Sequence, residues 1–138
     1  MSQYMNLIGQ NARKAALKKI NTKVKNKILS RYSLLLDKER GSIIKANAKD
    51  IKFSLKKGLQ NNLINRLTIN HKKIDNIKDS INKIIKLKDP VDNTLEKWSR
   101  PNGLKIKKVS IPIGVIGVIY ESRPNVTSDV ASLCFKSG

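Results

Sequence analysis

The chain has 138 residues, of which 29 are Lys or Arg and 10 are Asp or Glu, so its formal net charge at pH 7 is +19. Hydrophobic residues make up 39%, which is too many for a fully disordered chain, and the apolar runs are shorter than the roughly 20 residues of a membrane span. A single cysteine excludes an internal disulfide framework. We therefore expect one domain, or part of a larger one, from a reducing, cytoplasmic compartment.

The positive charge is compatible with a nucleic-acid partner, but the residue types do not favour a specific one. Lysine greatly outnumbers arginine, and arginine is the residue that contacts bases and phosphates bidentately. Aromatic residues, which stack on bases, make up only 4% of the chain. We expect a solvated basic surface without specific nucleic-acid binding. A basic helical module that binds nucleic acid is the alternative.

Residues 1–100 carry most of the charge and have the pattern of helices. Four apolar stripes with helical spacing run from Ile8 to Ile20, from Val24 to Leu36, from Ile43 to Ile51 and from Ile74 to Ile85. Thr22 is a candidate N-cap for the second helix, and Gly58 is a candidate C′ residue for the third. The fourth helix follows Asn70 and ends by Asp89-Pro90, since the residue before proline avoids the helical region.

The spacing of the apolar residues changes in residues 101–138. Leu104–Ile111 alternates imperfectly with lysines and predicts an extended or edge strand. Gly114–Tyr120 is apolar on both faces and β-branched, which predicts a buried parallel strand. Val126–Lys136 then predicts a helix. Asn125, Thr127 or Ser128 would cap this helix and Asp129 would lie in its first turn.

The polar turn Glu121–Asn125 lies where ligands bind in open α/β sheets, beyond the C-terminal end of a strand. It offers a carboxylate, a hydroxyl, a guanidinium and an amide within five residues. The N–H groups of the following helix point to the same place, which suits an anion or oxyanion. A polar loop that only caps the helix is the alternative. No G-x-G-x-x-G follows the strand, so the usual dinucleotide fingerprint is absent.

The segment Ile111–Gly138, which reads IPIGVIGVIYESRPNVTSDVASLCFKSG, resembles the gamma-glutamyl phosphate reductase family of the aldehyde dehydrogenase superfamily. Its YESRPNVT run is the most specific part of the resemblance. Shorter similar runs lie at Ala46–Asp50, Gly58–Leu59, Asn65–Leu67 and Asp89–Val91. The resemblance therefore covers essentially the whole chain.

The resemblance implies an enzyme that reduces L-glutamyl 5-phosphate to L-glutamate 5-semialdehyde with NADPH, in proline biosynthesis. A cysteine thiolate attacks the acyl phosphate, phosphate leaves, and hydride reduces the thioester. The implied fold is α/β: an N-terminal helical segment, residues 1–100, precedes the first strand–loop–helix of a parallel-sheet NADP-binding domain, residues 101–138, which is incomplete here. The family resemblance also implies a cytoplasmic homo-oligomer, with a hairpin near Leu104–Ile111 at subunit contacts.

The same resemblance assigns candidate roles to the polar turn. The candidate cofactor-binding residues are Ile119, Tyr120, Glu121 and Ser122. Arg123 and Asn125 are the candidate substrate-binding residues. Asn125 is also the candidate oxyanion donor, with Arg123 as the competing position, and Glu121 is a candidate ion-pair partner of Arg123.

The nucleophilic cysteine of the family lies downstream of the matched region, so Cys134 does not correspond to it. We expect Cys134 to be a packing residue, because free cysteines are usually buried. We also expect the 138 residues to be the front of a longer protein and to be inactive alone. His71 has no nearby ligand partner at helical spacing except Asp75, so no metal site is expected.

Overall fold

A computed structural model of the chain describes residues 3–121 and 123–138. The helices are α1 (Gln3–Ala16), α2 (Thr22–Lys38), α3 (Arg40–Lys56), α4 (Asn61–Leu67), α5 (His71–Lys86) and α6 (Pro124–Ser137). The strands are β1 (Thr94–Ser99) and β2 (Lys105–Val109). None of the helices in these described ranges is both long and apolar enough to cross a membrane.

The four helices predicted in the first hundred residues are confirmed, with corrections at their ends. Asn21, rather than Thr22, caps α2: its side-chain oxygen accepts a hydrogen bond from the Val24 N–H at 2.9 Å. Asn70 caps α5 in the same way. The first helix ends at Ala16 and does not reach Ile20. These asparagines satisfy N–H groups of the first turns and so fix where α2 and α5 begin.

The core lies where α5 crosses α2. The apolar stripe of α5 supplies Ile77, Ile81 and Ile84, which pack with Leu29 of α2. Half-buried side chains of α2, α5 and α6 surround this cluster, among them Phe135. The core therefore fixes α6, and with it the polar turn that precedes α6, against the N-terminal helices.

The short helix α4 was not predicted, because seven residues are too few to show a helical period. A buried asparagine of α3 holds its end in place. The Asn47 amide nitrogen donates to the Leu67 carbonyl at 3.0 Å, and its oxygen accepts from the Ile69 N–H at 2.6 Å. The loop between α4 and α5 is therefore bound to α3.

Strands β1 and β2 form an antiparallel hairpin. The extended segment predicted at Leu104–Ile111 is confirmed as β2, and β1 is the other strand of the hairpin that the family resemblance implies there, although its residues were not predicted. Gly103 has φ of +84° in the turn between them, a conformation that glycine adopts without strain. Nearly all residues of both strands are exposed, Trp98 and Leu95 among them.

The prediction of a strand at Gly114–Tyr120 is wrong for this structure. Residues 110–120 have no regular secondary structure, and Ile113 and Ile119 are 92% and 102% exposed. A strand needs a hydrogen-bonded neighbour, and β2 pairs only with β1 in the described ranges. Residues 114–120 thus have the composition of a buried strand, but the described ranges contain no neighbouring strand that could cover them.

Helix α6 begins at Pro124, two residues before the predicted start at Val126. Proline is favoured at the first helical position because its missing N–H has no partner there. The expected caps Asn125, Thr127 and Ser128 are wrong, since the N-cap is Arg123 and no side chain caps the helix. Asp129 consequently lies beyond the first turn.

Candidate functional site

An open cleft of about 390 Å³ lies where the polar turn meets the N-terminal helices. Its lining residues are Asn65 and Arg66 of α4, Lys73 of α5, Arg123 and Asn125. The structure thus brings together the two predicted substrate-binding residues, Arg123 and Asn125. Three further side chains come from helices that were not assigned to the site, and the family-like run Asn65–Leu67 was the only signal that could have pointed to two of them.

Asn125 lies in the first turn of α6 and is exposed. Its side-chain amide donates one hydrogen bond to Asp129 Oδ2 at 3.2 Å. Asp129 and Asn125 also line an adjoining cleft of about 260 Å³, in which α5 supplies Lys73 and Asn76. The amide has a second N–H hydrogen, so Asn125 can donate to a ligand while Asp129 holds its orientation.

The start of α6 is electropositive. Arg123 is the N-cap, and no side chain caps the helix by accepting a hydrogen bond from the N–H groups of its first turn. A helix N-terminus carries a partial positive charge and attracts anions. Glu121 is a candidate neutralising group, but the expected ion pair between Glu121 and Arg123 is not formed in the described residues. The positive charge of Arg123 is therefore available to the cleft.

Lys73 of α5 lines the same cleft and also stabilises the end of α4. Its ammonium group donates to the carbonyl oxygens of Asn65 at 2.9 Å and Thr68 at 2.5 Å, with a longer contact to that of Arg66. The last carbonyls of a helix have no partner within that helix, and here Lys73, from the first turn of α5, binds those at the end of α4. Lys73 therefore fixes α4 beside the cleft while its charge adds to the local positive potential.

Of the candidate cofactor-binding residues, Ile119, Tyr120 and Glu121 line neither cleft. Ile119 and Glu121 are exposed, and Tyr120 is tied to α6 through a 2.5 Å hydrogen bond between its hydroxyl group and that of Thr127. Ser122 lies outside the described residues. Ile119, Tyr120 and Glu121 therefore lie on the segment that leads into α6, outside the lining of the clefts.

A buried polar cluster anchors the C-terminal end of α6. The Lys25 ammonium group contacts Asp89 Oδ2 at 2.9 Å and the Lys136 carbonyl oxygen at 3.1 Å. The Lys136 ammonium group donates to Asn26 Oδ1 at 2.6 Å and to the Ile85 carbonyl at 3.1 Å. Both lysines are about 3% exposed. The cluster joins α2, α5 and α6 in one relative orientation.

Asp89 is charged in this cluster. Burial alone would raise its pKa, but hydrogen bonds from Lys25 and from the Val91 N–H outweigh burial, so the pKa lies below its ordinary value. Thr22 donates a further hydrogen bond to the carboxylate at 2.8 Å. Asp89 therefore balances one of the two buried ammonium groups.

An exposed ion network links the start of α3 to α2 and α5. Arg40 pairs with Asp37 and Asp75, and Lys78 pairs with Asp37 at 2.8 Å. The hydrogen bonds from Lys78 and Arg40 lower the pKa of Asp37 to about 2. These residues line neither cleft, and their ion pairs connect α2, α3 and α5.

Cys134 is half-buried on α6 and lines neither cleft. This position agrees with the expected packing role. Across residues 3–121 and 123–138, no three side chains of the His, Cys, Asp and Glu types gather as they would around a metal ion. The site that the described residues form is a cleft lined by the cations Arg66, Lys73 and Arg123 and by the amide of Asn125.

Comparison with known proteins gives one consistent relationship. No family model matches the chain. It is 46% identical over 120 residues to a gamma-glutamyl phosphate reductase of Thermodesulfovibrio yellowstonii, covering 87% of this chain and 29% of that protein. It is 48% identical over 119 residues to that of Nautilia profundicola, covering 86% and 29%. The chain spans about three tenths of the length of these curated relatives.

Solved structures of two such enzymes have the same fold over this region. The gamma-glutamyl phosphate reductase of Thermotoga maritima matches with a TM-score of 0.89 at 39% identity, covering 93% of this chain and 31% of that protein. That of Saccharomyces cerevisiae matches with a TM-score of 0.90 at 32% identity, covering 99% and 35%.

Proposed function

Because the chain is homologous to the N-terminal part of gamma-glutamyl phosphate reductases, we propose that it supplies this part of an enzyme reducing L-glutamyl 5-phosphate to L-glutamate 5-semialdehyde. Phosphate is released in the same reaction, which is the second step of proline biosynthesis from glutamate. The observation that carries this proposal is the cationic cleft at the start of α6. It gathers Arg123 and Asn125 in front of an uncapped helix N-terminus.

The charge of the cleft suits the substrate class. An acyl phosphate of glutamate has a carboxylate at one end and a phosphate at the other, so both ends need cationic or N–H donors. Arg123 provides a planar fork of donors that matches either group. The N-terminal end of α6 adds a partial positive charge. The described residues therefore supply substrate binding rather than the nucleophile.

Asn125 is the proposed oxyanion donor. When the acyl carbon becomes tetrahedral, its oxygen gains negative charge, and a fixed amide N–H stabilises that charge in the transition state. The hydrogen bond from Asn125 to Asp129 holds the amide before substrate binds. Arg123 is the competing donor, and the two roles differ in their kinetic effects.

A nicotinamide cofactor, with NADPH as the specific proposal, fits the approach to α6. Ile119, Tyr120 and Glu121 would hold it, with Ser122 as the fourth candidate. The side chain of Ile119 is fully exposed and apolar, and the backbone groups of residues 111–120 form no hydrogen bonds with other backbone groups of the described ranges. An apolar face next to free N–H and carbonyl groups suits a planar ring with amide substituents. The bound cofactor would supply the hydride.

The nucleophilic thiolate of the proposed reaction comes from outside the matched region. Cys134 is half-buried within α6 and lines neither cleft, which supports a packing role. We expect no reductase activity from residues 1–138 alone. The enzyme would be a cytoplasmic homo-oligomer, and the exposed apolar side chains Leu95 and Trp98 on the hairpin support subunit contacts there.

A chimeric enzyme tests the proposal. This chain replaces the matched part of the Thermotoga maritima reductase, and NADPH oxidation is followed with L-glutamyl 5-phosphate as substrate. We expect turnover within about tenfold of the unaltered Thermotoga enzyme. A chimera that folds to the same oligomer and binds cofactor, yet does not turn over, would overturn the proposal.

A further inference from the structure

Arg66 and Arg123 line the same cleft although they come from different parts of the chain. Arg66 lies in α4 and Arg123 is the N-cap of α6. Their meeting depends on the packing of α6 against α5 and on the position of α4. The proposed reaction has so far assigned a role to Arg123 alone.

Neither guanidinium has a carboxylate partner in the described part of the chain. Arg40, by contrast, contacts two aspartates. The lining of the larger cleft includes Lys73 as a third cation and no acidic residue. Three cations without an acidic neighbour in the lining give this cleft a positive potential, which attracts anions.

The backbone that carries Arg66 is fixed from two sides. Asn47 of α3 binds the Leu67 carbonyl, and Lys73 of α5 binds the carbonyls around the end of α4. A donor on a rigid support loses less conformational entropy on binding than a donor on a mobile loop. The backbone at Arg66 is thus fixed beside the cleft before a ligand binds.

We propose, resting on the function proposed above, that Arg66 is a substrate-binding residue that donates paired hydrogen bonds to an oxyanion of the glutamyl substrate. The carboxylate and the phosphate of this substrate share the chemistry that a guanidinium recognises. Arg123 faces the same bound molecule from the start of α6. Arg66 and Arg123 together select a substrate with two anionic groups.

Kinetics of the reverse reaction separate the two oxyanions, because glutamate semialdehyde and inorganic phosphate are then different substrates. In the chimeric enzyme, Arg66→Gln should raise the KM for one of them about tenfold or more. The kcat and the KM for NADP should stay within about threefold. Arg66→Lys keeps the charge and tests the need for a paired donor if Arg66→Gln does not fold.

A rise in the KM for semialdehyde assigns Arg66 to the carboxylate, and a rise in the KM for phosphate assigns it to the phosphate. Arg31→Gln is the matched control, since Arg31 is exposed on α2 and lines neither cleft. Unchanged KM values for both substrates, or a rise in the KM for NADP alone, would overturn the proposal.

Calorimetric titration with glutarate and with inorganic phosphate needs no turnover. We expect Arg66→Gln to weaken the binding of one of these probes about tenfold and Arg31→Gln to leave both unchanged. If binding depends on Arg66 and the chimera does not turn over, the proposed function fails and the assignment of Arg66 stands. If the chimera turns over and binding is independent of Arg66, the assignment fails and the function stands.

Discussion

Asn125 is the residue on which the proposed chemistry depends most directly. Its side chain is exposed in the first turn of α6, and its hydrogen bond to Asp129 fixes the direction of the amide. A donor that acts only when the oxyanion forms changes the rate of reaction more than substrate affinity. Arg123, as a group that binds the ground state, should change affinity instead.

We predict that Asn125→Ala lowers kcat of the chimeric enzyme about 100-fold and leaves KM within a few-fold. Arg123→Ala should mainly raise the KM for glutamyl phosphate. Asn82→Ala is the matched control, because Asn82 is exposed on α5 and lines neither cleft. Steady-state kinetics check these outcomes. If Arg123→Ala lowers kcat and Asn125→Ala has the kcat of the unaltered chimera, Arg123 and not Asn125 is the oxyanion donor.

The second residue-scale prediction concerns Asp89. Asp89→Asn would leave the buried ammonium group of Lys25 without a counterion, which costs about 3 kcal/mol in the free energy of unfolding. The double variant Lys25→Met with Asp89→Asn should recover part of this loss, because it removes the buried charge. Urea unfolding followed by circular dichroism measures both. Equal stability of Asp89→Asn and the wild type would show that the ion pair has no such role.

At the scale of elements, the apolar stripes, together with Asn70 and Pro90, made much of the helical part of the fold predictable. Ile74–Ile85 predicted α5, the centre of the core, because its apolar residues repeat every three or four positions. The short α4 was not predictable in this way. Arg66 was therefore missed as a site residue, since tertiary contacts such as those of Asn47 and Lys73 bring α4 to the cleft that Arg123 also lines.

The ion network of α2, α3 and α5 gives a prediction at this scale. The pKa of Asp37 lies at about 2, below its ordinary value of 3.8. A lowered carboxyl pKa stabilises the folded state above the ordinary value, and this contribution disappears as the pH falls towards 2. Asp37→Asn should therefore lower the urea midpoint at pH 6, and its difference from the wild type should shrink between pH 4 and pH 2.

Asp50→Asn provides the control for this pH series, because Asp50 is exposed and forms no ion pair in the described part of the chain. Its urea midpoint should follow that of the wild type at every pH. A difference between Asp37→Asn and the wild type that stays constant from pH 6 to pH 2 would contradict the network.

On the scale of the whole molecule, residues 111–120 show the limit of prediction from sequence. Their β-branched, two-sided apolar pattern was interpreted as a buried strand, but burial requires neighbouring strands, and β2 pairs only with β1 in the described ranges. The apolar pattern shows that the segment is suited to burial between strands, but it does not show whether such strands are present. In this chain the segment instead exposes apolar side chains and unpaired backbone groups, which promote association.

We therefore predict that the 138-residue chain self-associates at tens of micromolar concentration. Replacing Ile113 and Ile119 together by lysine should shift it towards monomer, as measured by sedimentation velocity. Leu17→Lys is the control, since Leu17 is 80% exposed but lies outside the segment. A monomeric wild-type chain, or an equal effect of Leu17→Lys, would show that the segment does not drive association.

The central claim is that this chain forms part of a reductase that acts on an acyl phosphate. The phosphate dependence of the reverse reaction tests it most directly. The chimeric enzyme is supplied with glutamate semialdehyde and NADP, and NADPH formation is recorded as inorganic phosphate is raised. We expect a rate that rises from near zero and saturates with phosphate. NADPH formation that proceeds equally without phosphate would indicate hydrolysis of the acyl intermediate and would rule out a phosphorylating reductase.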